Sequence, residues 1–203
     1  MSLLAYALTT VARAKIFLGI SGSSNDTIIE MLVNSVSDFI EHYCNRRFKL
    51  TTYTNEVYDG NGSDKLLLRQ YPISSFTSVE ERGAVTNEDS WSAIDSEKYF
   101  ANLTEGMLYY ANGIFKNYPR HWRCTYAAGY DYDNETIYLS NVGAGDLEYA
   151  CWKLVGKVYH QRKNDPNASS ESLGDYSVSL THEAMADPEI KDILNKYKRP
   201  YQL

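Results

Sequence analysis

Residues 25–48 read NDTIIEMLVNSVSDFIEHYCNRRF, and their apolar side chains recur at intervals of three and four. That spacing is typical of an amphipathic helix with one broad buried face. Thr27 and Glu30 have capping-box spacing and predict the start of this helix. The residues predicted to form the apolar face are Ile28, Ile29, Leu32, Val33, Val36, Phe39, Ile40 and Tyr43.

Helical segments are predicted on both sides of this one. Thr9 or Thr10 can cap a short helix that ends at Gly19. After VGAGD, Asp146 is the predicted N-cap of LEYACWKLVGKVYHQRK. Its predicted buried stripe is Leu147, Cys151, Leu154, Val155 and Val158.

A last helix is predicted in DPEIKDILNKYKRP, with Asp187 as cap and Pro188 at the first helical position. Pro200 follows its end. Its narrow apolar edge consists of Ile190, Ile193, Leu194 and Tyr197.

The middle of the chain predicts strands. From residue 51, short runs rich in Thr, Tyr, Val, Phe and Leu alternate with Gly, Asn, Asp and Pro. The strand candidates are TYTNEVY, KLLLR, ISSFTSVEE, KYFAN, GMLYYA and WRCTYAAGY. We therefore predict an α+β protein: a mostly helical bundle core from residues 1–50 and 145–203, with an antiparallel β module, residues 51–144, inserted into it.

The segment DGNGSDK, residues 59–65, allows three interpretations. It lacks the helix that follows a phosphate-binding loop, since the strand-like LLLRQYP comes next. It also lacks the bidentate glutamate and flanking helices of an EF-hand. Glycine and asparagine between two apolar runs favour a hairpin turn.

Composition excludes few functions and favours assembly. The chain has 203 residues, a net charge of −6 and 18 tyrosines. Acidic character argues against a protein that grips nucleic acid, and abundant tyrosine is typical both of half-buried strands and of protein interfaces. The odd count of three cysteines without a CxxC motif predicts reduced thiols.

No motif for catalysis, cofactor binding or metal binding is recognisable. His42 and Cys44 are too close on one helix to act as a pair of zinc ligands, and no histidine adjoins a nucleophile motif. We predict no catalytic, cofactor-binding or metal-binding residues and no cofactor. The N-terminal apolar run has its basic residues on the wrong side for a signal peptide, and no run is long enough to span a membrane.

Several segments taken together resemble the head–tail connector (adaptor, or head-completion) proteins of tailed bacteriophages. They are LTTVARAKIFLGIS followed by NDTIIEMLVNSVSDFIEHYCNRRF, then LLLRQYPISSFTSV, GIFKNYPRHWRCTYAAGY, and DLEYACWKLVGKVYHQRK leading to SESLGDYSVSL. Their order and spacing cover most of the chain.

The resemblance implies a structural virion protein rather than an enzyme. Connectors of this type form a ring, usually a dodecamer, beneath the portal protein. The ring extends the DNA tunnel and serves as a platform for a stopper or tail-completion protein. DNA would pass through the lumen without sequence-specific binding, and no membrane is involved. The protein is expected at the head–tail junction of the virion after synthesis in the host bacterial cytoplasm.

The resemblance also implies where partners bind. The C-terminal segment of such proteins reaches toward the portal, which here falls on Ile190, Ile193, Leu194, Tyr197, Lys198, Arg199 and Tyr201. The long polar stretch after the third helix is predicted to order against a neighbouring subunit or partner. The residues predicted for this inter-subunit contact are Leu173, Asp175 and Tyr176.

Two other classes of function remain open at this point. A glycan- or peptide-binding protein would use exposed aromatic residues of the β module, such as Tyr109, Tyr110 and Trp122. A metal-dependent hydrolase would use converging carboxylates, for which the candidates are Asp59, Asp131 and Asp133. The positions of these side chains in the fold discriminate between the alternatives.

Overall fold

A computed structural model describes residues 2–83, 90–130, 145–164 and 187–199. The chain divides into two compact units. One contains residues 1–49 and the helices that begin at Gly145 and Pro188; the other contains residues 50–130. Helices and antiparallel sheets coexist, so the predicted α+β class is confirmed. The predicted domain boundaries near residue 144 lie outside the described residues and stay a prediction.

The described part of the helical unit has four helices: α1 (Val11–Leu18), α2 (Asp26–Cys44), α3 (Gly145–Asn164) and α4 (Pro188–Tyr197). Helix α2 packs against the other three. Its predicted apolar face is confirmed for its central positions, since burial follows the helical period there. The fully or almost fully buried apolar side chains of α2 are Ile29, Leu32, Val33, Val36, Ile40 and Cys44.

Two of the predicted helix starts are confirmed. The Thr10 side chain accepts a hydrogen bond from the Arg13 amide at the start of α1. The Asp187 side chain accepts from the Glu189 and Ile190 amides at the start of α4. Helix α1 also ends as predicted, at Gly19 in the left-handed conformation (φ 66°), which costs glycine little.

Two other predicted starts are wrong by one or two residues. Helix α2 begins at Asp26 after Asn25, so Thr27 is already helical and cannot act as the N-cap of a capping box. Helix α3 begins at Gly145, so Asp146 lies in the first turn rather than at the cap. Its negative charge interacts favourably with the helix dipole there. The buried stripe predicted for α3 is confirmed.

The β unit contains two antiparallel sheets. Strands β1 (Thr51–Tyr58), β7 (Trp122–Ala128), β3 (Ile73–Arg82) and β4 (Trp91–Ala93) form the first in that order. Strands β2 (Lys65–Leu67), β6 (Met107–Tyr110) and β5 (Tyr99–Asn102) form the second. All six predicted strands are present, and β4 was not predicted.

The two sheets share one hydrophobic core. Leu66 and Leu108 enter it from the three-stranded sheet, whereas Val79, Cys124 and Tyr126 enter it from the four-stranded sheet. Strand β7 shows the alternation that such packing requires, since every second residue from Trp122 to Ala128 is buried. Trp122 and Phe115 are the large aromatic residues at one end of this core.

The hairpin predicted for residues 59–65 is wrong, although the segment is a loop. Strand β1 before it pairs with β7, whereas β2 after it pairs with β6, so the two flanking strands lie in different sheets. The glycine and asparagine signal therefore marks a crossing between sheets. Local turn chemistry identifies a change of chain direction, but it does not determine which strands pair.

Candidate interaction surfaces

Helix α4, on which four of the seven predicted portal-binding residues lie, is held tightly in the helical unit. Asp187 caps it and also receives Lys153 and Lys157 of α3, at 3.2 and 3.1 Å. Partial burial opposes the charge on Asp187, but hydrogen bonds from Lys157, the Ile190 amide and Lys153 lower its pKa to about 2. The start of α4 is thus fixed to α3 by charge as well as by packing.

The apolar edge of α4 faces inward. Four of the predicted partner-binding side chains are buried in the helical unit: Ile190, Ile193, Leu194 and Tyr197. Tyr197 packs edge-on against Phe48 and donates a hydrogen bond to Asp146. These four side chains therefore position the helix within its own chain. Their proposed role in portal binding stays a prediction.

The end of α4 meets the end of α2, which brings two separate basic segments together. The Arg199 amide donates to the Cys44 carbonyl at 2.9 Å, and the Lys198 ammonium lies 5.0 Å from the centre of the Tyr43 ring. Arg46 is buried with its guanidinium over the Phe48 ring. Lys198, Arg199 and Arg46 thus lie together where the two helices end, although the net charge of the chain is −6.

Two buried glutamates stabilise the helical unit. Glu148 accepts hydrogen bonds from Thr9 at 2.5 Å and Arg13 at 3.0 Å, and Glu41 accepts from the Phe48 amide and from Arg47. Burial raises the pKa of both carboxyl groups, while the arginines and other hydrogen bonds act to lower it. Each carboxylate is hydrogen-bonded to residues of its own chain, so both glutamates serve to hold the helical unit together.

Residues 59–64 and 111–121 of the β unit form two loops joined by backbone hydrogen bonds. The Gly60 amide donates to Tyr118, the Gly62 amide to Phe115, and the Phe115 amide to Ser63, at 2.7–2.9 Å. The Asp59 carboxylate accepts from the Arg120 amide at 2.6 Å. The amides of Gly60 and Gly62 and the carboxylate of Asp59 therefore hold the second loop in place. We call residues 59–64 the cradle of that loop.

The second of these loops carries exposed side chains that no motif in the sequence marks. Ile114 is 53% exposed and Tyr118 is 57% exposed, while Phe115 between them is buried. Arg120 is exposed and has a positive φ of 50°, a conformation that is uncommon for residues other than glycine. The signal in the sequence was the length of the segment between two strands, since long loops are often functional.

The aromatic residues proposed for glycan binding do not form one exposed face. Trp122 is fully buried, and the Tyr110 ring packs against Phe115 and Trp122. Tyr109 lies on the opposite face of its strand, stacked on Phe100 with ring centres 4.7 Å apart. The three side chains are therefore split between a core and a surface.

The structure describes only one of the three carboxylates proposed for a metal site. Asp59 is engaged by the Arg120 amide, and Asp131 and Asp133 lie outside the described residues. Among the residues that the structure describes, no group of three or more His, Cys, Asp or Glu could hold a metal ion. The three cysteines are free thiols and buried.

Some predicted contacts fall on parts of the chain that are not described. Tyr201 at the C-terminal end and the predicted inter-subunit residues Leu173, Asp175 and Tyr176 lie outside the described residues. Among the helices of the described segments, none is long and apolar enough to cross a membrane.

Comparison with solved structures shows that the chain shares its fold with proteins of gene transfer agent (GTA) particles. The chain is similar to a protein in the neck of a native gene transfer agent (GTA) particle computed with C12 symmetry, with a TM-score of 0.57 and 12% identity, covering 100% of this chain and 96% of the other. It is similar to one in the neck of an empty GTA particle computed with C6 symmetry, with a TM-score of 0.56, 12% identity, and 100% and 96% coverage. A third match, from the virion of a native GTA particle, has a TM-score of 0.57, 12% identity, and 100% and 95% coverage.

Comparison with protein families identifies the chain more directly. No curated protein matches it. A family model described as "Head completion protein" matches residues 7–200, which include all of the segments that carry the resemblance to connectors. The resemblance is therefore confirmed: the chain belongs to the Head completion protein family and is a structural protein of the virion at the head–tail junction.

Proposed function

We propose that this protein forms a ring, a dodecamer in the virion, that lies beneath the portal protein and extends the DNA tunnel. The same ring serves as a platform for a stopper or tail-completion protein. The observation that carries this proposal is the family match over residues 7–200. The likeness over the full chain to neck proteins of particles computed with C6 and C12 symmetry supports it.

We further propose that the protein acts by binding alone and catalyses no reaction. The two buried glutamates of the helical unit are engaged in structure: Glu41 and Glu148 each bind an arginine of their own chain. Asp59 is occupied by a backbone amide. Burial raises the pKa of the Cys44 thiol to about 12, which removes the thiolate needed for nucleophilic chemistry.

The portal contact is proposed on the segment from helix α4 to the C-terminal residues. The buried side chains Ile190, Ile193, Leu194 and Tyr197 hold the helix in place, and Lys198 and Arg199 provide its positive end. Positive charges at the C-terminal ends of α2 and α4 also interact favourably with the dipoles of these helices. Tyr201 follows in the same segment of the sequence, and Leu173, Asp175 and Tyr176 remain our proposal for the contact with a neighbouring subunit.

The DNA contact is proposed to be passive. A net charge of −6 leaves few cations to hold phosphates, so DNA can slide through the lumen without sequence-specific binding. Substituting neutral residues for the carboxylates that line the lumen is expected to slow DNA ejection. Unchanged ejection in such a variant would rule out this part of the proposal.

The proposed function is tested with heads purified from a phage that lacks this gene product. Adding the purified protein is expected to restore tail joining and infectivity. The double variant Lys198→Glu/Arg199→Glu is expected to lower binding to the cognate portal by about tenfold or more, because it reverses both positive charges of the proposed contact. The matched control is Lys191→Glu, an exposed residue earlier on the same helix.

Two results would contradict the proposal. Heads that remain unable to join tails after addition of wild-type protein would exclude a head-completion role for this chain. Equal loss of portal binding in the Lys191→Glu control would show that the end of α4 has no special part in the contact.

A further inference from the structure

Two cations at the junction where α2 and α4 end have no carboxylate partner. Lys198 is exposed, and its ammonium lies over the Tyr43 ring, 5.0 Å from the ring centre. Arg199 is half-buried, and its amide donates to the Cys44 carbonyl at 2.9 Å. Neither side chain forms an ion pair with any residue that the structure describes. Both charges are therefore available to a partner.

The carboxylates of the described segments around this junction do not neutralise these cations. Glu41 binds Arg47, and Asp146 lies 3.5 Å from the ammonium of Lys196. Two further carboxylates lie more than one helical turn before the ends of their helices, Asp38 on α2 and Asp192 on α4. The junction therefore carries a local surplus of positive charge.

A third cation lies close to the same two helix ends. Burial raises the pKa of the Cys44 thiol, whereas the charges of Arg46 and Lys198 act to lower it, so both cations lie within electrostatic range of this thiol. Arg46 is 4% exposed, with its guanidinium over the Phe48 ring. Like charges this close repel each other, and an anion bound beside them relieves that repulsion.

One polar atom of Arg199 is left without a hydrogen bond. Its Nε is buried and bonds no residue of the part of the chain that the structure describes. A buried donor without an acceptor costs free energy, so native proteins rarely keep one that has no use. The rest of the side chain is partly exposed, and a change of rotamer brings Nε and a terminal nitrogen to the surface together. Two parallel N–H donors of this kind match the two oxygens of a carboxylate.

We infer that this junction binds a carboxylate from an acidic segment of a protein partner, with Arg199 donating two hydrogen bonds to it and Lys198 beside it. The inference rests on the proposed function, in which this end of the chain meets the portal, and it adds the chemistry of the portal surface. DNA is a poorer occupant, because its phosphates would meet the net charge of −6 of the whole chain. One protein carboxylate needs only the local surplus.

The variant Arg199→Met separates a partner-binding role from a structural one. It is expected to lower binding to the cognate portal by about tenfold or more. The urea midpoint of the isolated protein is expected to stay unchanged or to rise, because the guanidinium bonds nothing in its own chain. Arg13→Met is the matched control for stability, since Arg13 binds the buried Glu148 at 3.0 Å and its loss is expected to lower the midpoint. Lys191→Met, exposed on the same helix, is the control for binding and is expected to leave it unchanged.

The variant Arg199→Lys tests the geometry of the contact. It keeps the positive charge but lacks the two parallel donors, so it is expected to lose most of the affinity that Arg199→Met loses. Binding equal to that of the wild type would show that charge alone suffices, and it would overturn the role of the two hydrogen bonds.

Carbodiimide cross-linking in completed particles identifies the occupant. The reagent joins an amine to a carboxylate in contact with it through an amide bond and takes up the water that is lost. Mass spectrometry is expected to find Lys198 joined to an aspartate or glutamate of the portal. Lys198→Arg keeps the charge without the amine and is expected to lose this cross-link, and Lys191 is expected to form none with the portal.

Three results would overturn the inference. They are portal binding by Arg199→Met equal to that of the wild type, a urea midpoint of this variant lowered as far as that of Arg13→Met, and the absence of a cross-link between Lys198 and a portal carboxylate. Binding that is lost when the DNA of the heads is digested would assign the site to phosphate and overturn it as well. All of these results leave the proposed function intact, whereas failure of the wild-type protein to complete heads would contradict the proposed function itself.

Discussion

The backbone of Gly60 runs directly against the carbonyl oxygen of Lys116. A Cβ atom at position 60 would lie 1.6 Å from that oxygen and 2.8 Å from Nε1 of Trp122. The same carbonyl accepts a hydrogen bond from Trp122 Nε1 at 3.3 Å. Close approach of the two loops therefore requires glycine at this position, and it links the cradle to the buried aromatic end of the β core.

Gly60→Ala is expected to lower the free energy of unfolding of the β unit by about 2 kcal/mol or more, because the loop must separate from Lys116 and its hydrogen bonds. Urea unfolding followed by tryptophan fluorescence measures this, since Trp122 lies at the contact. The matched control is Gly62→Ala, where the nearest atom lies at 3.7 Å and φ is +73°. It is expected to cost about 1 kcal/mol from backbone strain alone. Equal losses in both variants would contradict the account.

Asp187→Ala is expected to destabilise the helical unit by about 1–2 kcal/mol, because it removes both the cap of α4 and the partner of two lysines of α3. Asp187→Asn is the control for charge, since asparagine caps a helix about as well as aspartate. It is expected to lose only the ion pairs and therefore to be less destabilised. Urea unfolding midpoints followed by circular dichroism measure both. Identical midpoints for the two variants would show that the cap contributes nothing.

The Asp187 carboxylate also predicts an acid dependence. Its pKa is about 2 in the folded protein and about 3.9 in an unfolded chain. A lowered pKa contributes stability that is present above pH 3.9 and is lost as the pH falls through 2. The difference in unfolding free energy between wild type and Asp187→Asn is therefore expected to be constant above pH 5 and to shrink below pH 4. A difference that grows on acidification would contradict this.

Glu148 predicts the opposite dependence. Burial raises its pKa in the folded protein. Its contribution is therefore fully present below the ordinary glutamate pKa of about 4.3 and is lost as the pH rises through the folded value. The unfolding free energy of wild type minus that of Glu148→Gln is expected to fall as the pH is raised from 4 toward neutrality, measured by urea titration. Glu97→Gln, at an exposed position, is the control. A rising difference would rule out burial as the dominant effect.

The native thiols are expected to be unreactive. Burial raises the pKa of Cys44 to about 12 and also raises the pKa values of Cys124 and Cys151. Ellman's reagent at neutral pH is therefore expected to label none of the three in the folded protein and all three in urea. Rapid labelling of a folded thiol would show that its site opens easily.

Helical periodicity proved the most informative local signal in this chain. The apolar stripes of α2 and α3 were readable because a buried helix face imposes a 3.6-residue period whatever its partners are. The cap at Asp187 is readable because proline is favoured at the first helical position and aspartate before it can accept the first amides, ahead of an apolar edge with helical spacing. The starts at Thr27 and Asp146 were misplaced by one or two residues, since several residues near each start can accept the first amides.

Strand pairing and partner surfaces were less accessible. Residues 59–65 read as a hairpin because turn chemistry is local, whereas the pairing of β1 with β7 joins segments about seventy residues apart. The apolar edge of α4 is predicted to take part in portal binding, and only the fold shows that its side chains are buried in the helical unit. A single sequence cannot tell which apolar stripe faces its own chain and which faces a partner. Ile114, Tyr118 and Arg120 were missed because only the fold shows that Phe115 turns inward between them.

The central claim is that this chain forms a ring at the head–tail junction. Cryo-electron microscopy of heads that lack it, before and after addition of the purified protein, tests this claim most directly. The account predicts a new ring of twelve-fold density on the portal vertex of the treated heads, into which the helical and β units described above can be fitted. Heads whose portal vertex gains no density, although the protein restores tail joining, would contradict it.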